Sequence, residues 1–134
     1  MKLSKHFSDY EFFCKCCNQG TPLESLLKLL ENIRFEIEKK YGYVKIVITG
    51  PLRCDKHNEE IKGSAKESRH RFKYSDGVDI KCYIKDVDNN WIQLNPLEVG
   101  NMFNRMYPNS FGMGIYHNRN HVDSRPGAKK RWTG

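Results

Sequence analysis

The sequence has no apolar run approaching the roughly 20 residues of a membrane-spanning helix, which excludes a helical membrane protein. It has no internal repeat, no low-complexity tract and no Pro/Gly/Ser-rich linker long enough to separate one folded unit from another. Repeat arrays, collagens and disordered tails are thereby excluded, and residues 1–134 are read as one domain. No apolar segment of signal-peptide length follows Met1-Lys2-Leu3-Ser4-Lys5-His6, so the expectation is a protein folded in the cytoplasm. Cysteine is sparse and odd in number. Cys14, Cys16, Cys17, Cys54 and Cys82 are irregularly spaced, which argues against a complete disulfide framework and for mostly reduced thiols. Acidic residues are outnumbered, 16 against 23 Lys plus Arg, leaving a formal charge of +7 that suits an anionic partner. Charge alone does not choose between nucleic acid, a membrane surface and an anionic cell wall.

Against these absences, 38% hydrophobic and 12% aromatic residues are enough for a core. Ser8-Asp9-Tyr10-Glu11 forms a capping box that predicts a short helical turn before the cysteines, and Thr21-Pro22-Leu23-Glu24 forms a second. Leu23, Leu26, Leu27, Leu30, Ile33, Ile37 and Tyr41 recur at helical spacing until Gly42, which predicts the long helix of the domain. Residues 44–48 alternate as a strand running into a turn at Gly50-Pro51, and 55–62 read as helix. Residues 77–82 read as a strand that closes a hairpin with 91–94 through the turn at 88–90. A third capping box at Asn95-Pro96-Leu97-Glu98 opens a helix through Met106. The short segments 112–116 and 121–124 pair as a second hairpin. The sum is α+β, a small antiparallel sheet flanked by helices.

Any single histidine reads most simply as a partly exposed surface residue. The grouping argues otherwise. His70 follows Ser68 in a loop, Asp79 lies in the next strand, and His121 and Asp123 project from one face of a further strand. Two imidazoles and a carboxylate make a sensible zinc site with a position left for water, and such an ion lowers the pKa of water from about 15.7 towards 7.

Arg53-Cys54-Asp55-Lys56-His57-Asn58, Gly63-Ser64-Ala65, Ser68-Arg69-His70, Gly77-Val78-Asp79-Ile80 and Gly112-Met113-Gly114-Ile115-Tyr116 with His121-Val122-Asp123 resemble the zinc D-Ala-D-Ala carboxypeptidase family. That family includes phage L-alanyl-D-glutamate endopeptidases (endolysins) and shares the Hedgehog-type fold. Phe7-Ser8-Asp9-Tyr10-Glu11-Phe12 with Cys14, and the closing Arg131-Trp132, extend the likeness over nearly the whole chain. The resemblance implies a single Zn2+ held by His70, Asp79 and His121, with Arg53 beside the substrate's carbonyl or carboxylate. Ser68, next to a ligating His70, reads as a hydroxyl hydrogen-bonded near the metal on the substrate-binding side rather than as a nucleophile. The resemblance also implies a peptidoglycan peptide as partner, no nucleic acid, and a protein waiting in the cytoplasm or in a phage particle until it meets the wall.

The sequence also departs from the family pattern. Eight residues rather than six separate His70 from Asp79, and Ser75 and Gly77 stand where Gly and Ala are usual. Gly50-Pro51-Leu52 replaces a Ser-Gly-Tyr turn. Many relatives carry a glutamate three residues before the last histidine, where this chain has Asn118. The proton acceptor is then expected to be Asp123, which could instead orient a ligand, or His117 at the turn. The missing glutamate also leaves open a catalytically inactive zinc-bearing module on the same fold.

Two further features read more plainly. Cys14-Lys15-Cys16-Cys17 lacks the second pair of a zinc ribbon, and Cys54 and Cys82 stand alone, so these read as buried or paired thiols. The basic run from Arg125 to Trp132 reads as a solvated segment rather than a nucleic-acid site, with no accompanying motif.

Overall fold

The computed structural model describes residues 1–61 and 65–134. Gly63 and Ser64 of the family-like pattern, and Lys62 of the helix expected over 55–62, lie outside the described residues.

A 3-10 turn spans Asp9–Phe12, where the Glu11 carboxylate accepts the Ser8 N–H at 2.7 Å. Helix α1 covers Glu24–Tyr41 and buries Leu26, Leu29, Leu30, Ile33 and Ile37 along one stripe. It ends at Gly42, whose φ of 85° lets the backbone turn away while its N–H still reaches the Glu38 carbonyl. The capping box expected at Thr21 does not form. The residue before the helix is Leu23, in extended conformation, and its N–H is taken by the Ser75 carbonyl, which docks the helix start on the loop before β2. Asn95 does cap helix α3, Pro96–Met106, accepting the Leu97 N–H. Glu98 leaves that cap and pairs with Lys40 of α1 at 2.7 Å. The short helix α2 is Asp55–Glu60.

The strands are β1 (Lys45–Gly50), β2 (Gly77–Lys85), β3 (Trp91–Gln93), β4 (Gly112–Ile115), β5 (Asn120–Asp123) and β6 (Lys130–Thr133). They form one sheet in the order β1-β2-β5-β4-β6, with β3 beside the far end of β2. All pairings are antiparallel except β4 with β6, which is parallel. Strand β6 corrects the reading of the basic run as a solvated segment. Its Arg131 donates to the carbonyls of Phe111, Tyr107 and Ser110, fastening the end of the chain to the loop after α3.

Alternation in β2 sets the plan of the molecule. Val78, Ile80, Cys82 and Ile84 point to one side and join the core with Val122, Met113, Phe103 and the α1 stripe. Asp79 points to the other side. Its cross-strand partner His121 shares that face, and so does Asp123, two residues along β5. One face of the sheet is covered by helices, and the opposite face carries the titratable groups.

Candidate metal centre

His70 lies in a tight loop fastened to the exit of β1. The Arg53 N–H donates to the His70 carbonyl at 2.7 Å, the Phe72 N–H donates to the Arg53 carbonyl at 2.9 Å, and Ser68 Oγ accepts the His70 N–H. Asp79 sits opposite Gly50, where the β1–β2 register shifts. A Cβ on residue 50 would lie 2.6 Å from Asp79 Oδ2, so glycine leaves the room this carboxylate occupies. Gly112 does the same for Asp123, whose carboxylate fills the space a side chain would take.

These segments bring His70 Nε2, Asp79 Oδ1 and His121 Nδ1 together. The two nitrogens are 3.1 Å apart and each lies 3.3 Å from the carboxylate oxygen. With metal bonds of about 2.0 Å, the edge of a tetrahedron is about 3.3 Å, so the triangle has the dimensions of one open-sided zinc coordination face.

The outer nitrogens fix the tautomers. The Pro51 carbonyl accepts from His70 Nδ1 at 3.0 Å, and the buried Asp123 carboxylate accepts from His121 Nε2 at 2.8 Å. Each neutral ring then turns a lone pair inward, facing the other ring and the Asp79 carboxylate. With both rings neutral these three atoms are all acceptors, an arrangement that a cation satisfies. Burial lowers the His70 pKa. Burial works against charging His121 too, but Asp123 and Asp79 outweigh it and raise the value. Burial would raise Asp79, yet the two imidazoles hold its carboxyl far below the usual carboxylate range. Among the described residues these three side chains form one of two groups able to hold a metal ion.

The triangle lies at the floor of a cleft of about 440 Å³ whose walls include Arg53, Ser68, Glu67, Tyr116, Arg119 and Trp132. Arg53 is half-buried and bonded to Asn58 Oδ1, with no acidic partner among the described residues. Burial presses against its charge, while Asp79 favours it. Arg119 lies 3.6 Å from Asp79 Oδ2 and rests on the Tyr116 ring. Trp132 of β6 packs against the His121 ring and donates to the Tyr116 hydroxyl.

A family model described as Peptidase M15 matches residues 5–123. The chain belongs to the peptidase M15 family. No curated protein and no solved structure matches it. Peptidases of the M15 family are metal-dependent metallopeptidases, and the α+β sheet with its flanking helices agrees with that fold.

In this M15 domain the residues singled out from sequence are distributed unevenly. His70, Asp79 and His121 converge, and Arg53 and Ser68 line the same cleft. Asp123 is fully buried behind His121, its second contact a two-pronged ion pair with Arg125 at 2.7 Å for each prong. Burial raises its carboxyl, but Arg125 and His121 carry it below the ordinary range. His117 is exposed at the β4–β5 turn and is not among the residues lining the cleft.

Glu67, Arg119, Tyr116 and Trp132 also line the cleft, and none of them was given a site role from sequence. Arg125, the partner of Asp123, was readable in principle because it lies two residues further along the same strand direction. Trp132 entered only through the family likeness, and its place beside His121 had no local signal, since a parallel pairing brings it there. The reading that Cys54 stands apart is corrected, since it joins Cys14, Cys16 and Cys17 in a single cluster. Cys82 is buried elsewhere, in the core.

Proposed function

We propose that this M15 domain is a zinc peptidase hydrolysing an amide bond of the peptidoglycan stem peptide, as a phage-type endolysin or a D-Ala-D-Ala carboxypeptidase. The observation that carries the reading is the convergence of three inward-facing acceptors at the floor of a cleft lined by the Arg53 guanidinium. The set His70, Asp79 and His121 fits zinc in donor type and in spacing. A bound ion supplies Lewis acidity, polarising a carbonyl and making water nucleophilic near neutral pH.

The chain's own residues supply the rest. Asp123 and the Pro51 carbonyl hold both imidazoles in the ligating tautomer. Arg53 binds the stem peptide's carboxylate or stabilises negative charge developing on its carbonyl oxygen. Ser68 keeps the His70 backbone in place, and Trp132 walls the site beside His121. Glu67 takes the proton-accepting role, because apart from Asp79 it supplies the only carboxylate among the described cleft residues. It accepts from the Tyr74 hydroxyl, with Arg71 and Lys73 each 3.7 Å away, and the Tyr74 hydrogen bond is the main reason its pKa is lowered. Asp123 is sequestered behind a ligand, and His117 faces solvent outside the cleft. The inactive-module alternative rests on Asn118, and activity of the metal-loaded protein decides between it and a base supplied from another loop.

The test is hydrolysis of purified walls and of synthetic stem peptides by metal-loaded protein, with products read by mass spectrometry. The expected result is release of D-Ala, or cleavage after L-Ala, abolished by chelator and restored by zinc. A zinc-loaded, folded protein that leaves both substrates intact overturns the assignment. Glu67→Gln is expected to lower kcat by about 10²-fold or more with metal content unchanged. If Glu67→Gln is fully active while His117→Ala is not, the proton role belongs to His117.

A further inference from the structure

The second convergent group lies outside the catalytic cleft. Cys14, Cys16 and Cys17 sit in the loop after the 3-10 turn, and Cys54 directly follows Arg53. Their sulfurs all lie within 4.8 Å of one another. Cys14 Sγ is 3.7 Å from both Cys16 Sγ and Cys54 Sγ, and Cys16 Sγ is 3.1 Å from Cys54 Sγ. Zinc–sulfur bonds of about 2.3 Å give a tetrahedral edge of about 3.8 Å, which two of these separations match.

The backbone around the sulfurs is arranged for thiolates. The Cys54 N–H donates to Cys14 Sγ and the His57 N–H donates to Cys54 Sγ, each at 3.4 Å. The loop closes on itself through Asn18 N–H to the Cys14 carbonyl and Cys14 N–H to the Gln19 carbonyl, with Asn18 at a φ of 55°. That tight turn brings three cysteines of a four-residue stretch round to one side. From these positions we infer that Cys14, Cys16, Cys17 and Cys54 bind a second, structural zinc ion as a closed tetrathiolate.

Burial opposes ionisation of Cys14, but the Cys54 and Cys16 N–H groups and the neighbouring thiols draw it down to about 7. The hydrogen bond to Cys54 pushes Cys16 up to about 12. A divalent ion replaces the shared protons and removes that conflict.

Four protein ligands leave no open position, so this ion performs no hydrolysis. Its place in the fold gives it a different task. It ties the loop at 14–17 to residue 54, next to Arg53, and Arg53 in turn pairs through its backbone with the loop that carries His70. The Leu52 N–H also donates to the Phe12 carbonyl across the same junction. The ion thus braces the wall of the cleft without touching substrate. This inference stands on the sulfurs alone and does not depend on the peptidoglycan reading.

The test is metal content on the full chain purified under reducing conditions. About two zinc ions per chain are expected in the wild type and about one in His70→Ala. That variant, refilled with cobalt, should show the near-ultraviolet sulfur-to-metal charge-transfer absorption of a thiolate site. Cys54→Ser is expected to keep the histidine-site ion and lose the charge-transfer band. Because Cys54→Ser could fail to fold, native alkylation of the wild type gives a second reading. Cys16 and Cys17 are exposed, so they react at once if free, whereas bound thiols are protected until chelator is added. A metal-free His70→Ala protein, immediate alkylation of Cys16 and Cys17, or a Cys16–Cys54 disulfide in the reduced preparation would each overturn the inference.

Discussion

Asp123 shows how much a single side chain can hold in place. Its carboxylate accepts from the outer nitrogen of His121 on one side and from the Arg125 guanidinium on the other, and Gly112 opposite leaves it the space. Removing its charge leaves His121 free to change tautomer or rotate, which weakens the inward lone pair without deleting a ligand. Asp123→Asn is therefore expected to lower metal affinity at the histidine site by about 10- to 100-fold while the fold persists. Competition with a chromophoric chelator measures it. Unchanged affinity in Asp123→Asn would mean that packing against Trp132 alone orients the ring. The same residue marks a limit of sequence reading. Its place on the face of His121 follows from strand alternation, whereas its retreat behind that ring follows from burial, which a two-residue spacing does not encode. His117 is the converse case, since a histidine at a turn close to a ligand in sequence can still face away from the cleft.

Among the elements, those specified locally were the most legible. The α1 stripe, the Gly42 stop, the Asn95 cap and both hairpins rest on periodicity or on side chains a few residues apart, and the structure contains them. Strand β6 was not legible because its partner β4 is parallel and joined through a long connection, so no turn residue announces the pairing. The cysteine cluster was hidden for a related reason, because Cys54 reaches Cys14 only once β1 has been laid into the sheet. The N-terminal arm offers a test at this scale. Glu31 on α1 accepts from the Ser4 hydroxyl at 2.6 Å, the His6 N–H at 2.8 Å and His6 Nδ1 at 2.6 Å, clasping the arm to the helix. Burial works against that charge, but these donors outweigh it and leave the Glu31 pKa below its ordinary value. A depressed carboxylate contributes stability that is complete above its unfolded pKa of about 4.3 and is lost as pH falls through the lower folded value. Glu31→Gln should cost about 1–3 kcal/mol at pH 7, and the gap from wild type should close on acidification below about pH 4. Urea unfolding across pH 7 to 3 gives the comparison, and a gap that stays constant over that range would show the clasp to be independent of charge.

At the scale of the whole molecule, charge and metal act on different properties. For the anionic wall proposed as substrate, the net charge of +7 favours retention, and that attraction should weaken between about 0.1 and 1 M salt as the screening length falls from about 10 to 3 Å. Co-sedimentation with purified walls measures it, and binding that ignores salt would assign retention to the cleft instead. Metal bears on stability, because the ligands His70, Asp79 and His121 come from a loop and two separate strands and meet only in the folded chain. An ion that binds the native state and not the unfolded one stabilises the fold by about 4 kcal/mol at a thousandfold excess over its Kd. For a chain of 134 residues that corresponds to a Tm higher by about 10–20 °C. Chelation should remove this increment from the wild type. His70→Ala should start lower, because its first site is already lost, and should respond to chelator only through the cysteine cluster. The two chelator responses therefore separate the ion proposed for the cleft from the ion proposed to brace its wall. A wild-type Tm indifferent both to chelator and to added zinc would leave two buried imidazoles and the half-buried Asp79 carboxylate facing one another without a metal ion. Such a triangle would be a destabilising feature rather than a metal centre, and His70→Ala would then raise stability instead of lowering it.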